Sequence, residues 1–259
     1  MSLIDFGPIY TNTGAILQID YATKCAESGS TVIGINTKYG LIVCVEKPID
    51  SVLYKIKEEK RIKKFRSNVL LVGSGLLHDL EPIETQANQR LGLAEKYRQF
   101  ISANEIKNAI SASVHDFTIY YGVRPVGCHL MFGHSEKIKK MDGESACKIK
   151  NQTNQNEIKT RLYVTDCSSL TKEVHAYAIG KGASRAKTEL EKLNADFENM
   201  KPLDAIDHSI RIMYRCFDPL KDKPFFLEVA LMTDKIQEVD DDVVTEISEK
   251  YKDLNMDDE

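Results

Sequence analysis

The stretch that decides the fold contains Gly14-Ala15-Ile16-Leu17-Gln18-Ile19-Asp20-Tyr21-Ala22, then Gly29-Ser30-Thr31-Val32-Ile33-Gly34-Ile35, and then Leu41-Ile42-Val43-Cys44-Val45-Glu46-Lys47. The first segment predicts a turn glycine followed by an amphipathic helix, because its apolar residues recur at helical spacing. The second and third segments are rich in β-branched residues and predict two neighbouring strands. The sequence therefore begins with a helix that leads through Gly-Ser-Thr into a strand pair.

The composition indicates one globular domain, residues 1–259, with 42% hydrophobic and 29% charged residues. No apolar run approaches the roughly 18 residues of a membrane-spanning helix, and no secretory leader is recognisable, so we expect no membrane partner. The net charge of -4 gives no reason to expect nucleic acid as a partner. Six scattered cysteines without a C-x-x-C pair indicate a reducing, intracellular compartment, and we predict no metal site and no cofactor.

Strands and helices alternate in blocks along the chain. The predicted strands are 31–36, 41–46, 69–73, 128–133, 161–166, 173–178 and 227–233. Apolar stripes predict helices from Leu76 to Ala94, Ile106 to Phe117, Ala183 to Leu193 and Leu203 to Met213.

Local signals mark where several helices begin. Ser102 and Glu105 form a capping-box pattern, and Pro202 suits a first helical turn. Pro82 is predicted to kink its helix or to restart it, and a short final helix is predicted at about 245–254.

The helices occur in pairs rather than between successive strands, which disfavours a doubly wound parallel sheet. The pattern predicts an α+β fold, a four-layer αββα sandwich with two stacked sheets between helix layers. Three segments are predicted to be exposed: the basic stretch 55–66, a long polar loop at 134–160 and an acidic tail at 240–259.

Several motifs resemble one known family. They are the opening Gln-hydrophobe-acid-Tyr-Ala helix followed by Gly-Ser-Thr, Val123-Arg124-Pro125-Val126-Gly127-Cys128, Leu162-Tyr163-Val164-Thr165-Asp166, and Ala178-Ile179-Gly180 with the helix Ala186 to Leu193. Together they resemble the alpha-type subunits of the proteasome core particle. The stretch Lys221 to Phe225 and the acidic tail are most similar to the seventh position of the eukaryotic alpha ring. The resemblance spans nearly the whole chain except 134–160.

The resemblance implies a sandwich of the N-terminal-nucleophile hydrolase type. It also implies a non-catalytic subunit of a seven-membered outer ring that helps ring assembly, pore gating and activator docking in ubiquitin-dependent protein degradation. The implied partners are other alpha subunits, beta-type ring subunits, and a regulatory particle or other activators. The implied location is the cytoplasm and the nucleus.

In register with the catalytic relatives, Ser30 takes the position of their nucleophile, Glu46 lies near their supporting carboxylate, and Arg61 replaces their lysine. Such hydrolases use a freed α-amino group as base and a nearby ammonium to tune it. A guanidinium, whose pKa lies far above neutral pH, cannot surrender a proton readily, so we predict no enzyme. The alternative is a self-processing N-terminal-nucleophile peptidase or amidohydrolase that uses Ser30. A free-standing binding module with the same fold is a third possibility.

The resemblance assigns gate positions to Asp5, Asn12 and Tyr21, although Ile4 stands in place of the family's gate tyrosine and Asn12 in place of its turn proline. Tyr21 could equally be an ordinary half-buried tyrosine.

Two further surfaces follow from the resemblance. Arg61, with Lys60 and Lys63, is assigned to a pocket that holds the C-terminal carboxylate of an activator; a solvated charged turn or a nuclear import signal would fit equally well. The contacts with neighbouring subunits are assigned to Ile16, Gln18, Ile19, Arg124 and Gly127.

Overall fold

Two five-stranded antiparallel sheets form the centre of the molecule. The computed structural model describes residues 7–51, 53–55, 58–97, 101–138, 157–193 and 197–252. The first sheet contains β1 (Val32–Thr37), β2 (Gly40–Pro48), β8 (Ala176–Ile179), β9 (Phe225–Met232) and β10 (Ile236–Glu238), in the order β10-β9-β2-β1-β8. The second contains β3 (Lys63–Arg66), β4 (Val69–Gly75), β5 (Cys128–Ile138), β6 (Glu157–Thr165) and β7 (Thr171–Val174), in the order β3-β4-β5-β6-β7.

Six α-helices surround the sheets within the described residues. They are α1 (Leu17–Glu27), α2 (Leu80–Tyr97), α3 (Ala103–Ile119), α4 (Ala183–Lys192), α5 (Pro202–Cys216) and α6 (Asp241–Glu249). A single 3-10 turn, Leu77–Asp79, precedes α2. Among the described residues, no helix has both the length and the apolar content needed to cross a bilayer.

The core is divided into three apolar layers. Val43 and Met131 belong to the layer between the two sheets. Ile83 and Ile110 pack α2 and α3 onto the second sheet, while Ile210 packs α5 onto the first. The four-layer αββα sandwich predicted from the order of elements is therefore confirmed. The helix α1 stands apart from these layers and lies against β4 and β5.

The helix starts agree with the sequence signals. Ser102 Oγ accepts the amide of Glu105 at 3.3 Å and the Glu105 carboxylate accepts the amide of Ser102 at 2.8 Å, so the capping box is present. Pro202 occupies the first turn of α5. Pro82 is the third residue of α2, where a missing amide hydrogen costs no helical bond, and the helix begins just before it, in agreement with the predicted restart.

The prediction of a loop over the whole of 134–160 is wrong at both ends. β5 continues to Ile138 and β6 begins at Glu157, and the two strands are paired from His134–Arg161 to Ile138–Glu157. These strand ends were not recognised in the sequence, because their residues are mostly polar and lack the usual apolar alternation. The ribbon lies at the end of the sandwich opposite α1, since β5 begins beside α1 and runs away from it. Residues 139–156 lie outside the described residues.

The structure differs from the sequence analysis in three other places. The predicted strand 173–178 is two strands in different sheets, because the chain crosses from β7 to β8 at His175. The short polar strands β3 and β10 carry too few apolar residues to be recognised. The final helix begins at Asp241 rather than near 245, since carboxylates in its first turn favour a helix amino terminus. Part of the predicted acidic tail is thus this helix, and residues 253–259 lie outside the described part.

Candidate functional site

Ser30 lies in the short connection between α1 and β1, where both its hydroxyl and its carbonyl have hydrogen-bond partners. Its Oγ accepts a hydrogen bond of 2.8 Å from the Arg61 guanidinium. Its carbonyl accepts a bond of 2.8 Å from Ser74 Oγ, and the next amide, that of Thr31, donates to Glu46 Oε2 at 3.0 Å. The structure therefore brings together the three residues that the sequence placed at this site: Ser30, Glu46 and Arg61.

The Gly29–Ser30 peptide is enclosed by its neighbours. The Gly29 carbonyl accepts the amide of Lys181 at 2.8 Å, and the Gly29 amide donates to the Ala26 carbonyl at 3.3 Å. A Cβ on Gly29 would lie 2.0 Å from the backbone nitrogen of Gly75. The nitrogen of Ser30 is part of this peptide bond, so in this arrangement Ser30 lacks the free amine that an N-terminal nucleophile needs.

A buried carboxylate and a lysine lie behind this turn. Glu46 is almost fully buried, and its Oε1 lies 2.8 Å from Lys181 Nζ, which also lies 3.0 Å from Asp222 Oδ1. Although burial disfavours the charged lysine, its bonds with Glu46 and Asp222 raise the pKa of Lys181. Lys181 therefore remains an ammonium, and its charge is balanced by two carboxylates rather than directed at Ser30.

Arg61 is half-buried and turns inward. Its Nη2 bonds Ser30 Oγ and also the Gly73 carbonyl at 3.3 Å. Burial lowers the pKa of Arg61, while the carboxylates of Glu59 and Glu228 oppose that change. Its Nε is buried without a hydrogen-bond partner among the described residues.

A second buried ion pair holds the backbone at Arg61. The carboxylate of Glu228 accepts the amides of Arg61 at 3.0 Å and Ile62 at 3.1 Å. Lys47 Nζ lies 3.4 Å from the same carboxylate, and less than a tenth of each side chain is exposed. The start of the basic stretch is therefore fixed to β2 and β9.

The three cations assigned to carboxylate docking point in different directions. Arg61 faces Ser30, whereas the half-exposed Lys60 pairs with Glu238 near β10. Lys63 Nζ lies 3.9 Å from Glu84 Oε2 on α2. Exposed ion pairs of this kind are weak, so both lysines are free to exchange partners.

The assigned gate residues lie on or before α1. Asn12 is the exposed second residue of a turn from Thr11 to Gly14, closed by a 2.9 Å bond from the Gly14 amide to the Thr11 carbonyl. Gly14 has φ +80, a conformation that favours glycine. Tyr21 is 48% exposed on α1. Asp5 lies outside the described residues.

A groove of about 250 Å³ lies between the amino-terminal segment and the loop after α3. Ile16, Gln18 and Arg124 line it, so the structure brings together three of the five residues assigned to subunit contacts. Ile19 is half-buried on α1, and Gly127 is buried.

One carboxylate shapes the loop beside this groove. The Arg124 guanidinium donates two bonds, of 2.6 and 2.7 Å, to Asp79, which also accepts the Gly127 amide at 2.8 Å. Burial of Asp79 favours its neutral form, but the bonds from Arg124 and Gly127 hold the pKa of Asp79 below its usual value. Asp79 thus fixes the 124–127 loop to the start of α2.

The described residues contain no group of three or more His, Cys, Asp or Glu side chains arranged to hold a metal ion. Most polar side chains of the networks above are paired with one another, and the buried Arg61 Nε is an exception. The contacts at Ser30 thus form a junction that joins the end of α1, the start of β1 and β4.

A family model described as proteasome subunit matches residues 26–142 and 154–232. The chain belongs to the proteasome subunit family. This proteasome-family chain is 29% identical to the probable proteasome subunit alpha type-7 of Encephalitozoon cuniculi over the full length of both. It is 28% identical to proteasome subunit alpha type-3 of Oryza sativa, over 97% of this chain and 91% of the relative. It is 29% identical to alpha type-3 of Drosophila melanogaster, over 86% and 80%. The resemblance to alpha-type subunits is confirmed.

Several residues around Ser30 in this proteasome-family chain were not predicted from the sequence. Ser74, Lys47 and Glu228 are separated from Ser30 along the chain, and only the sheet topology brings them near it. A signal did exist for Glu228, which is a lone carboxylate inside an apolar strand. Lys181, between two glycines, gave no indication of its ion pairs.

Proposed function

We propose that this proteasome-family chain is a structural, non-catalytic alpha-ring subunit. The observation that carries the proposal is the closed junction at Ser30. A hydrolase of this fold needs a freed amino group on its nucleophile, and here that nitrogen lies in a peptide bond enclosed between Ala26, Gly75 and Lys181. The relatives named as alpha subunits support the same assignment.

The retained helix α1 also supports a non-catalytic role. Release of Ser30 as a new amino terminus would remove α1 and expose the apolar surface that Ala22 and Ala26 cover. It would also break the two backbone bonds made by Gly29. Within the described residues, the segment from α1 to Gly29 is therefore packed as part of the domain.

Intact mass measurement and amino-terminal sequencing of the natively purified chain test this proposal. We expect a full-length chain of 29.3 kDa in an assembly with other subunits of similar size. A chain that begins at Ser30 would instead identify a self-processing hydrolase. A full-length monomer without partners would indicate a free-standing module.

The proposed partners are other alpha subunits in a seven-membered ring, a beta-type ring on one face, and a regulatory particle or other activators on the other. The groove beside Ile16 and Arg124 is proposed to meet a neighbouring subunit, because it is concave and the exposed Tyr121 lies against Gly7 in its lining. Asp5, Asn12 and Tyr21 are proposed to contribute to the pore gate. Arg61, with Lys60 and Lys63, is proposed to receive the terminal carboxylate of an activator.

We propose that the subunit is located in the cytoplasm and the nucleus. The exposed lysines of the basic stretch 55–66 support nuclear import. Fluorescence imaging of the tagged chain tests this location, and exclusion from nuclei would contradict it.

A further inference from the structure

The helix α1 buries only small side chains completely against the sandwich, and its larger apolar residues Leu17 and Ile19 are half-buried. Its only buried side chains are Ala22 and Ala26, which form a small cluster with Cys167. Alanine side chains contribute little burial free energy, which scales with apolar area at about 25 cal/mol per Å². Polar contacts can therefore contribute a large share to the position of α1.

A fully buried hydroxyl on β4 provides such a contact. Ser74 Oγ donates a 2.8 Å hydrogen bond to the Ser30 carbonyl and lies 3.4 Å from the Ala26 carbonyl. Ala26 is in the last turn of α1, and Ser30 precedes β1. One side chain thus touches the chain on both sides of the helix end.

Glycines lie close to this hydroxyl on two sides. A Cβ on Gly29 would lie 2.6 Å from Ser74 Oγ, and a Cβ on Gly180 would lie 2.7 Å from it. Gly75 has φ +111, and a Cβ there would lie 2.7 Å from the Ala26 Cα. The backbones of α1, β4 and the turn before α4 therefore approach each other as closely as glycine allows.

We propose that Ser74 is a positioning residue that fixes α1 on the sandwich and thereby shapes the groove at its amino-terminal end. The groove depends on α1 because Gln18 is in its first turn and Ile16 is the residue just before it, whereas Arg124 comes from a loop held separately by Asp79. A shift of α1 would separate the two walls. The role of the groove in binding a neighbouring ring subunit rests on the proposed function, whereas the position of α1 does not.

Hydrogen exchange on the full chain tests the positioning role. Ser74→Ala is compared with Ser209→Ala, because Ser209 is also fully buried but donates to Ala205 within its own helix at 2.7 Å. We expect the amides of residues 23–28 to exchange about tenfold faster in Ser74→Ala and at the wild-type rate in Ser209→Ala. Equal rates for these amides in both variants and the wild type would overturn the proposal.

Co-expression with the other ring subunits, followed by native mass spectrometry, tests the groove. We expect Ser74→Ala to enter rings several-fold less than Ser209→Ala. Faster exchange with unchanged ring entry would overturn the link between α1 and the groove. If the wild-type chain itself enters no ring, the proposed function fails, and the exchange rates still decide the role of Ser74.

A measurement on the wild type covers the case in which Ser74→Ala does not fold. If Ser74 fixes α1, the amides of residues 23–28 are protected to the same degree as those of β1. Exchange of these amides more than a hundredfold faster than in β1 would contradict the proposal.

Discussion

Ser169 has a backbone conformation that serine rarely adopts. Its φ is +73, the single positive value among the described non-glycine residues. This conformation costs a residue with a Cβ about 1–2 kcal/mol, part of which is offset by the larger unfolded-state entropy of glycine. We predict that Ser169→Gly raises the free energy of unfolding by about 0.5–1 kcal/mol, measured by urea denaturation.

The neighbouring serine provides the matched control for that substitution. Ser168 has an ordinary φ, and its Oγ donates to Asp166 Oδ1 at 2.6 Å. We expect Ser168→Gly to lower the stability, because it removes this bond and gains no relief of strain. Stabilisation by both substitutions would mean that the backbone at Ser169 is not strained.

Asp79 gives a pH-dependent prediction at the same scale. Its pKa is depressed in the folded chain, so its contribution to stability is present above the unfolded pKa of about 4 and is lost as the pH falls through the folded value. We predict that Asp79→Asn lowers the urea midpoint at pH 7 and that the gap to wild type narrows below about pH 4. A gap that stays constant with pH would exclude the charge of Asp79 as the cause. Glu58→Gln, in an exposed pair, is the control and should have little effect.

At the scale of elements, the sequence predicts helices better than strands. The stripe from Ile106 to Phe117 and the Ser102 capping box are local signals, and the structure retains both. The ribbon that ends at Ile138 and Glu157 has no local signal, because its pairing depends on a partner strand and its side chains are polar. Likewise, no local signal shows that β7 and β8, on either side of His175, belong to different sheets, because their places depend on the strands with which they pair.

The β5–β6 ribbon leads to a deletion test. Ile138 and Glu157 are direct antiparallel partners, so a two-residue Asn-Gly turn can join them. We predict that replacement of residues 139–156 by Asn-Gly preserves the fold and leaves ring entry unchanged, since the ribbon points away from α1. Circular dichroism melting and native mass spectrometry measure both outcomes. Loss of ring entry with an unchanged melting temperature would show that this segment takes part in assembly.

At the scale of the whole molecule, the resemblance placed Ser30, Glu46 and Arg61 at one site, and the fold brings them together. It did not predict the inward turn of Arg61, because Glu228 fixes the backbone there from a distant strand. Nor did it predict Ser74, which meets Ser30 only when the two sheets stack, or Lys181, whose partners Glu46 and Asp222 come near it through strand pairing in the first sheet. The sequence therefore predicts those site residues that can be aligned with the family. The other site residues become neighbours only through long-range packing.

The assignment of Arg61 to carboxylate docking can be tested in the assembled particle. We predict that Arg61→Met weakens the binding of an activator with a free C-terminal carboxylate about five- to tenfold, because the proposed pocket loses a charged hydrogen-bond donor. Arg61→Lys should recover part of the affinity, and Lys64→Met, an exposed neighbour on β3, should change little. Surface plasmon resonance on intact particles measures the affinities. Equal losses for the Arg61 and Lys64 variants would favour a solvated charged surface.

The groove provides the last prediction. Ile16 is half-buried and lines it beside Gln18 and Arg124, so a carboxylate at position 16 would be desolvated against a neighbouring subunit. We predict that Ile16→Asp reduces ring entry at least tenfold, as truncation of a central interface residue does. Tyr39→Asp is the control, because Tyr39 is 50% exposed in the β1–β2 turn at the opposite end of the sandwich. Native mass spectrometry of co-expressed subunits measures ring entry, and circular dichroism of each chain shows whether it is folded. A folded Ile16→Asp chain that enters rings as well as Tyr39→Asp would place the contact with the neighbouring subunit on another surface.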